Sequence, residues 1–268
     1  MLQDFKVAAV QMVSGENVAK NLEQVSGLVA QAAESGAKLV ALPEYFPVMH
    51  SNSRFKLGIA EDFGKGCIQQ ILADLARKFN IWLVAGSIPL KSQQVDKVTN
   101  SCLVFDPNGE CAARYDKIHL FDFQQGEEVY KESDGHDAGS QPVCFDTPWG
   151  RVGLAICYDL RFPELFRSLD NIDLLVIPSA FTVPTGKAHW ELLLRARAVE
   201  NQCYIVAPAQ GGEHENGRKT WGRSMIVDPW GDVLACREEG EGVIDAELSK
   251  KRFEEIRQQL PAWLHRRM

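Results

Sequence analysis

Apolar residues recur along this chain with two different spacings. Short apolar runs rich in β-branched residues occupy positions 6–11, 39–42, 82–87, 101–105, 152–157, 174–178, 204–207, 224–227 and 243–246, each the length of a strand. Between them the apolar positions fall three or four residues apart. Val18, Leu22, Val25, Val29 and Ala32 make one such stripe, and Ile68, Ile71, Leu72, Leu75 and Phe79 make another. Two further helices are expected over 187–201 and 249–259. Strands alternating with helices of this length predict an α/β protein with helices lying over its sheets.

One segment echoes another. SCLVFDPNGECAARY (101–115) and SMIVDPWGDVLAC (224–236) each read as strand, Asp-Pro-x-Gly turn, strand. Asp first, Pro second and Gly fourth is type I turn chemistry. One such hairpin in each half suggests two similar sheets, and two sheets with helices outside make a four-layer α-β-β-α sandwich. A chance echo of a common turn is the other reading.

Composition narrows the class. The 268 residues are 45% hydrophobic and 24% charged, the mix of an ordinary globular chain. No linker or low-complexity stretch interrupts them, so residues 1–268 are expected to form a single domain, with 260–268 as a C-terminal tail. Lys and Arg total 29 against 36 Asp and Glu, a net charge of −7, which gives no general attraction to nucleic acid or to an anionic membrane. No run approaches the roughly 18 apolar residues of a membrane helix, and the N-terminus has neither the basic region nor the cleavage site of a signal peptide. The seven cysteines include no Cys-x-x-Cys pair, which argues against a metal ligand pair or a redox pair and for a reducing, cytoplasmic setting.

Candidate chemistry begins with what is missing. There is no Gly-x-Ser-x-Gly elbow, no phosphate loop, no Gly-x-Gly-x-x-Gly after a strand and no His-Glu-x-x-His. In RVGLAICYDLRFPELFR (151–167), an apolar strand runs into Cys157, and Pro163 suits the first turn of a short helix. Cys157 therefore sits at a strand-to-helix turn beside free backbone N–H groups. The other cysteines read as small buried hydrophobes. A cysteine nucleophile needs a base and a stabiliser for the oxyanion it creates. His119 and His189 are the only histidines in motif-like surroundings, and no protease-type signature surrounds Cys157. A carboxylate and a lysine offer another solution. Glu44 follows an apolar strand and a Pro in LVALPEYF, and Lys117 lies in the apolar stretch RYDKIHLFDF. Read alone, Glu44 is as easily a surface carboxylate, and Lys117 a lysine that buries its stem and keeps its charge in water.

Taken together, LPEYF with Glu44, YDKIHLFD with Lys117 and AICYDLRFPE with Cys157 closely resemble the nitrilase superfamily of carbon–nitrogen hydrolases. The resemblance continues through 179–210, WGRSMIVDPWG (221–231) and QLPAWLHRR (259–267), so it covers essentially the whole chain. It implies an α-β-β-α sandwich of two mixed sheets, with Glu44 as general base, Lys117 as oxyanion stabiliser and Cys157 as nucleophile. A second glutamate that orients the lysine matches Glu132, with Glu127 and Glu128 as nearby alternatives. No metal or organic cofactor is implied.

The later segments resemble the branch of amidases that act on amides of 2-oxo acids. The expected substrate is a small-molecule amide, deaminated glutathione first, cleaved to 2-oxoglutarate and cysteinylglycine. The alternatives are an ω-amidase acting on α-ketoglutaramate, an N-carbamoyl amino acid hydrolase, a nitrilase, and an inactive interaction protein on the same fold. A keto-acid amide carries a carboxylate, which suits an arginine fork. Arg161 is the candidate for it, with a structural role, tying Asp159 or a helix end, as the alternative. Tyr45, Tyr158, Phe181 and Thr185 are expected to line the pocket. Arg195 and Arg197 lie about 200° apart on their helix, so one should face inward. The resemblance also implies a homodimer or a dimer-based oligomer, with the apolar tail residues Leu260, Trp263 and Leu264 touching a second subunit.

Overall fold

The computed structural model describes residues 2–50, 52, 54–125, 128–169 and 171–267. Two mixed sheets dominate. In the first, the strand order is Gly242–Leu248, Phe5–Gln11, Leu39–Ala41, Trp82–Val84, Val98–Phe105, Ile88–Lys91, with Cys111–Asp116 and His136–Asp137 also paired to Val98–Phe105. The pairs 5–11 with 39–41 and 39–41 with 82–84 are parallel, and 5–11 runs antiparallel to 242–248. The second sheet runs Cys144–Thr147, Gly150–Leu154, Leu174–Val176, Tyr204–Ala207, Ser224–Val227, Val233–Arg237, with its parallel pairs in the middle.

Alternation along the strands sets the layers. On the first strand, Val7 and Ala9 join the core between the sheets, where they meet Val152, Leu154, Leu174 and Val176. Ala8 and Val10 face the other way, into a second core with Leu22, Val25 and Val29 of the helix Val18–Glu34 and Ile68 and Leu72 of the helix Cys67–Phe79. On the far side, Trp190, Leu194 and Ala198 of the helix Val183–Asn201 belong to the core of the second sheet. The result is the four-layer α-β-β-α sandwich of two mixed sheets that the sequence implies.

Both echoed hairpins form, one in each sheet. Asp106 Oδ1 accepts from the N–H groups of Asn108 and Glu110, and Asp228 Oδ1 accepts from those of Trp230 and Asp232. The shared Asp-Pro-x-Gly letters thus encode one turn used twice.

Several elements differ in extent from the expected runs. The run 82–87 is strand only to Val84, because the chain turns at Gly86, where φ is +53°. A Cβ at Gly86 would lie 2.1 Å from the carbonyl oxygen of Pro43, so only glycine permits this close approach. The approach brings Ser87 Oγ against the N–H of Tyr45, at 3.0 Å, and so anchors the segment carrying Glu44. The helix expected from 187 starts earlier, at Val183, with Pro184 in its first turn. Among the described residues no helix is long and apolar enough to cross a membrane.

Candidate active site

Four segments end at one place. Glu44 follows the strand Leu39–Ala41, Lys117 follows Cys111–Asp116, Cys157 follows Gly150–Leu154, and Glu132 follows the short hairpin of Asp122–Gln125 and Glu128–Lys131. Cys157 has φ +50°, a left-handed conformation that costs a non-glycine residue about 1–2 kcal/mol. Its surroundings hold it there. The Cys157 N–H donates to Pro178 O at 2.9 Å, and the fully buried Asp159 closes the turn by accepting from the Ile156 N–H at 2.9 Å.

Asp159 also joins the Cys157 turn to the segment carrying Lys117. It accepts from the Tyr115 hydroxyl at 2.6 Å and from the His119 N–H at 2.9 Å, and His119 Nδ1 lies 2.8 Å away. His119, stacked on Phe162, therefore supports the site from behind. Arg197, not Arg195, is the inward-facing arginine of its helix. Its Nε donates to Leu160 O at 3.0 Å, directly under the Cys157 turn.

The charged centre is compact and buried. Lys117 Nζ donates to Glu44 Oε1 and to Glu132 Oε2, both at 2.8 Å, and Lys117 and Glu44 are 2% and 1% exposed. Asn100 Nδ2 donates to Glu44 Oε1 at 2.9 Å and to Glu132 Oε1 at 3.1 Å. Glu132 further accepts from the Phe121 N–H at 2.7 Å and from the Tyr45 hydroxyl. The backbone carbonyl of Glu44 accepts from Gln210 Nε2 at 3.1 Å.

Electrostatics follow from this packing. Burial works against the Lys117 cation, but the charges of Glu132 and Glu44 outweigh it and hold the ammonium well above its ordinary range. Burial likewise works against the Glu132 carboxylate, and Lys117 and His136 overcome it and bring it down. Burial and the neighbouring Glu44 charge push the Cys157 thiol well up, against the pull of Lys117. The protonated thiol of Cys157 is thereby favoured over the thiolate.

The expected residues divide into two groups. Glu44, Lys117, Glu132, Cys157 and Tyr45 form one interacting cluster. Of the alternatives to Glu132, Glu127 lies outside the described residues, and so does the side chain of Glu128. Tyr158, Arg161, Phe181 and Thr185 line a small pocket with Cys157 itself, Phe121, Ala180 and Thr182. Arg161 does not bind Asp159. Its Nη1 lies 3.2 Å from His189 Nδ1, and its guanidinium lies over the rings of Phe181 and Tyr158. Thr185 Oγ1 pairs with Thr182 Oγ1 at 2.8 Å.

Asn100, Gln210 and the closing role of Asp159 escape sequence reasoning. Asn100 lies in the strand VTNSCLVF, whose eight residues are all buried. A Thr-Asn-Ser triplet inside an otherwise apolar strand was the available signal, because buried polar groups require partners.

The chain is a carbon–nitrogen hydrolase whose sandwich brings a buried glutamate, lysine and cysteine together at its strand ends. The carbon–nitrogen hydrolase family model matches residues 6–258, and the chain belongs to that family and is an amidase. It is 40% identical to the deaminated glutathione amidase of Yersinia enterocolitica, over 99% of this chain and 94% of the relative. It is 37% identical to the human omega-amidase NIT2, over 99% of this chain and 96% of that protein. The crystal structure of the Caenorhabditis elegans NitFhit protein superposes with a TM-score of 0.90 at 40% identity, covering 100% of this chain, which spans 66% of that longer one.

Proposed function

We propose that the protein is a cysteine-dependent amidase for amides of 2-oxo dicarboxylic acids, with deaminated glutathione as first substrate and α-ketoglutaramate as second. The carrying observation is the buried cluster in which Glu44 and Glu132 share Lys117, with the Glu44 charge acting on the Cys157 thiol.

In this reading the sulfur of Cys157 attacks the amide carbon while Glu44 takes the thiol proton. Burial and the Glu44 charge favour the thiol over the thiolate, so the attack is coupled to that transfer. Lys117 spends two of its three N–H donors on Glu44 and Glu132, and the third faces the developing oxyanion together with the N–H of Tyr158. The C–N bond then breaks as Glu44 returns the proton to the leaving nitrogen, and a thioester remains. Glu44 next deprotonates a water that attacks the thioester. The thiolate leaves and recovers the proton. Glu132 holds Lys117 and touches no reacting atom.

Tyr45, Tyr158, Phe181 and Thr185 form the walls around the substrate, and Arg161 reads a carboxylate. The protein works as one domain, as a homodimer or dimer-based oligomer in the cytoplasm. The amidases of both names among the relatives support the 2-oxo acid substrate class, and the identities of 40% and 37% do not separate them.

The test is a panel of deaminated glutathione, α-ketoglutaramate, N-carbamoyl amino acids, simple aliphatic amides and nitriles, read by product detection. Keto-acid amides are expected to exceed neutral amides by at least about tenfold in kcat/KM, the worth of one charge-assisted hydrogen bond. Equal hydrolysis of neutral amides or nitriles would overturn the substrate class, and full activity in Cys157→Ala would overturn the chemistry.

A further inference from the structure

A second cationic position, apart from Arg161, lies against Tyr45. Lys56, on the short helix Phe55–Ile59, places Nζ 3.3 Å from the centre of the Tyr45 ring. The same Tyr45 bonds Glu132 through its hydroxyl. Arg218 lies with its guanidinium over Tyr130, 4.8 Å from the ring centre, close enough that its charge bears on Lys56. Among the described residues neither side chain has an ion pair with a carboxylate. His136 completes the surroundings. Its ring lies 6.0 Å from that of Tyr45, it is 7% exposed, and its Nε2 has no hydrogen-bond partner among the described residues.

Among the described residues, the charges that bear on Lys56 are the cations Arg218 and Lys117 and the carboxylates Glu132 and Glu44. Lys56 and Arg218 repel each other, since like charges near one another disfavour the charged form. Such an arrangement is relieved by one anion. Burial and the charges of Arg218 and Lys117 bring Lys56 down to about 7, against the pull of Glu132 and Glu44, and a bound anion would restore its proton.

Resting on the amidase reading, we propose that Lys56 and Arg218 form the subsite for the carboxylate at the acyl end of the substrate. The spacing suits a five-carbon acyl chain. Its amide carbon and its carboxylate carbon are four C–C bonds apart, about 5 Å, or the breadth of one aromatic side chain. Tyr45 is that side chain, with Glu132 and Lys117 at its hydroxyl end and Lys56 on its face. Arg161, in the pocket with Tyr158, Phe181 and Thr185, is then left to a carboxylate on the departing amine. An amine that itself carries a carboxylate would use both cationic positions, and ammonia would use only the first.

The experiment compares the wild type with Lys56→Met, Lys56→Arg and Arg218→Met. Two readouts are taken: kcat/KM for α-ketoglutaramate and for neutral pentanamide, and calorimetric binding of 2-oxoglutarate. Lys56→Met is expected to lose about 10- to 150-fold on α-ketoglutaramate, mostly in KM, and at least tenfold more than on pentanamide. Binding of 2-oxoglutarate should weaken by a similar factor, with Lys56→Arg recovering most of both and Arg218→Met falling between. A parallel loss on both amides, or unchanged 2-oxoglutarate binding in Lys56→Met, would overturn the subsite. If the wild type hydrolyses neither amide, the amidase reading fails, and the 2-oxoglutarate titrations of wild type and Lys56→Met still decide the subsite.

Discussion

The side-chain amide of Asn100 donates to the Oε1 atoms of both Glu44, at 2.9 Å, and Glu132, at 3.1 Å, so one nitrogen fixes two carboxylates against Lys117. Its Oδ1 is buried without a hydrogen-bond partner among the described residues, a cost accepted for that geometry. Asn100→Asp would place a third carboxylate beside the first two. We expect it to lower kcat by about 10-fold or more, since disturbing a buried charged hydrogen bond costs about 1.5–3 kcal/mol. Asn100→Leu should lower kcat less and leave KM nearly unchanged, because the residue positions Glu44 and Glu132 and touches no substrate. A loss confined to KM would refute that role.

Lys117 carries a structural duty as well as the proposed chemical one. Lys117→Ala should lower kcat by about 10² or more, the usual loss of an oxyanion donor. It should also destabilise the protein by about 3–5 kcal/mol, because it strands two buried carboxylates. Pairing Lys117→Met with Glu132→Gln removes one of those charges. Chemical denaturation should then show part of the stability restored with no return of activity. Undiminished stability in Lys117→Ala would contradict the buried ion pairs.

Cysteine labelling separates burial from function. The sequence alone suggests that iodoacetamide finds Cys157 first. The structure argues otherwise, since Cys157 is 7% exposed and its thiol is pushed up by burial and Glu44, whereas Cys67 and Cys111 are exposed. Iodoacetamide should modify Cys67 at least as fast as Cys157. Loss of activity should nevertheless track Cys157 modification alone, and Cys67→Ala should retain activity. Inactivation that follows Cys67 labelling in peptide mass spectra would contradict the assignment of the nucleophile.

Legibility in the sequence followed locality. The Asp-Pro-x-Gly turns, the stripe of Val18, Leu22, Val25 and Val29, and the strand ends before Glu44 and Cys157 are all set by neighbouring residues, so local patterns disclosed them. Asn100 and Gln210 meet Glu44 across sequence separations of 56 and 166 residues, where no local pattern reaches. Lys56 was hidden for a related reason. Its environment is a tyrosine eleven positions earlier and an arginine far downstream, and its short helix buries no residue that would mark it.

Assembly can be tested at two exposed apolar surfaces. Leu192 and Val199 on the helix Val183–Asn201 are 66% and 46% exposed beside Trp230, and Leu260, Trp263 and Leu264 of the tail are similarly uncovered. Gln202 clasps the tail, accepting from the Trp263 N–H at 3.2 Å and donating to Leu260 O. Patches of this kind mark contact surfaces. Sedimentation equilibrium should give a dimer or larger oligomer at micromolar concentration, weakened by Leu192→Asp and by truncation after Gln259 with helical content retained. A monomeric wild type would rule this out.

The buried imidazole of His136 sets an acid limit on stability. Burial and the Lys56 charge lower it from 6.5 to about 4, although Glu132 pulls the other way. In the unfolded chain the ring regains its ordinary range. Between about pH 4 and 6.5 the unfolded state therefore binds the extra proton, and stability rises with pH through that window and is level above it. A depression of this size corresponds to about 3 kcal/mol between the two ends. Urea unfolding at pH 4.5, 5.5, 6.5 and 7.5 should show the rise in the wild type. His136→Phe, which has no proton to gain and keeps a ring beside Tyr45, should flatten it by up to that amount while Glu132 and the other carboxylates still contribute their own acid dependence. An unchanged slope in His136→Phe would assign the acid sensitivity to the carboxylates alone.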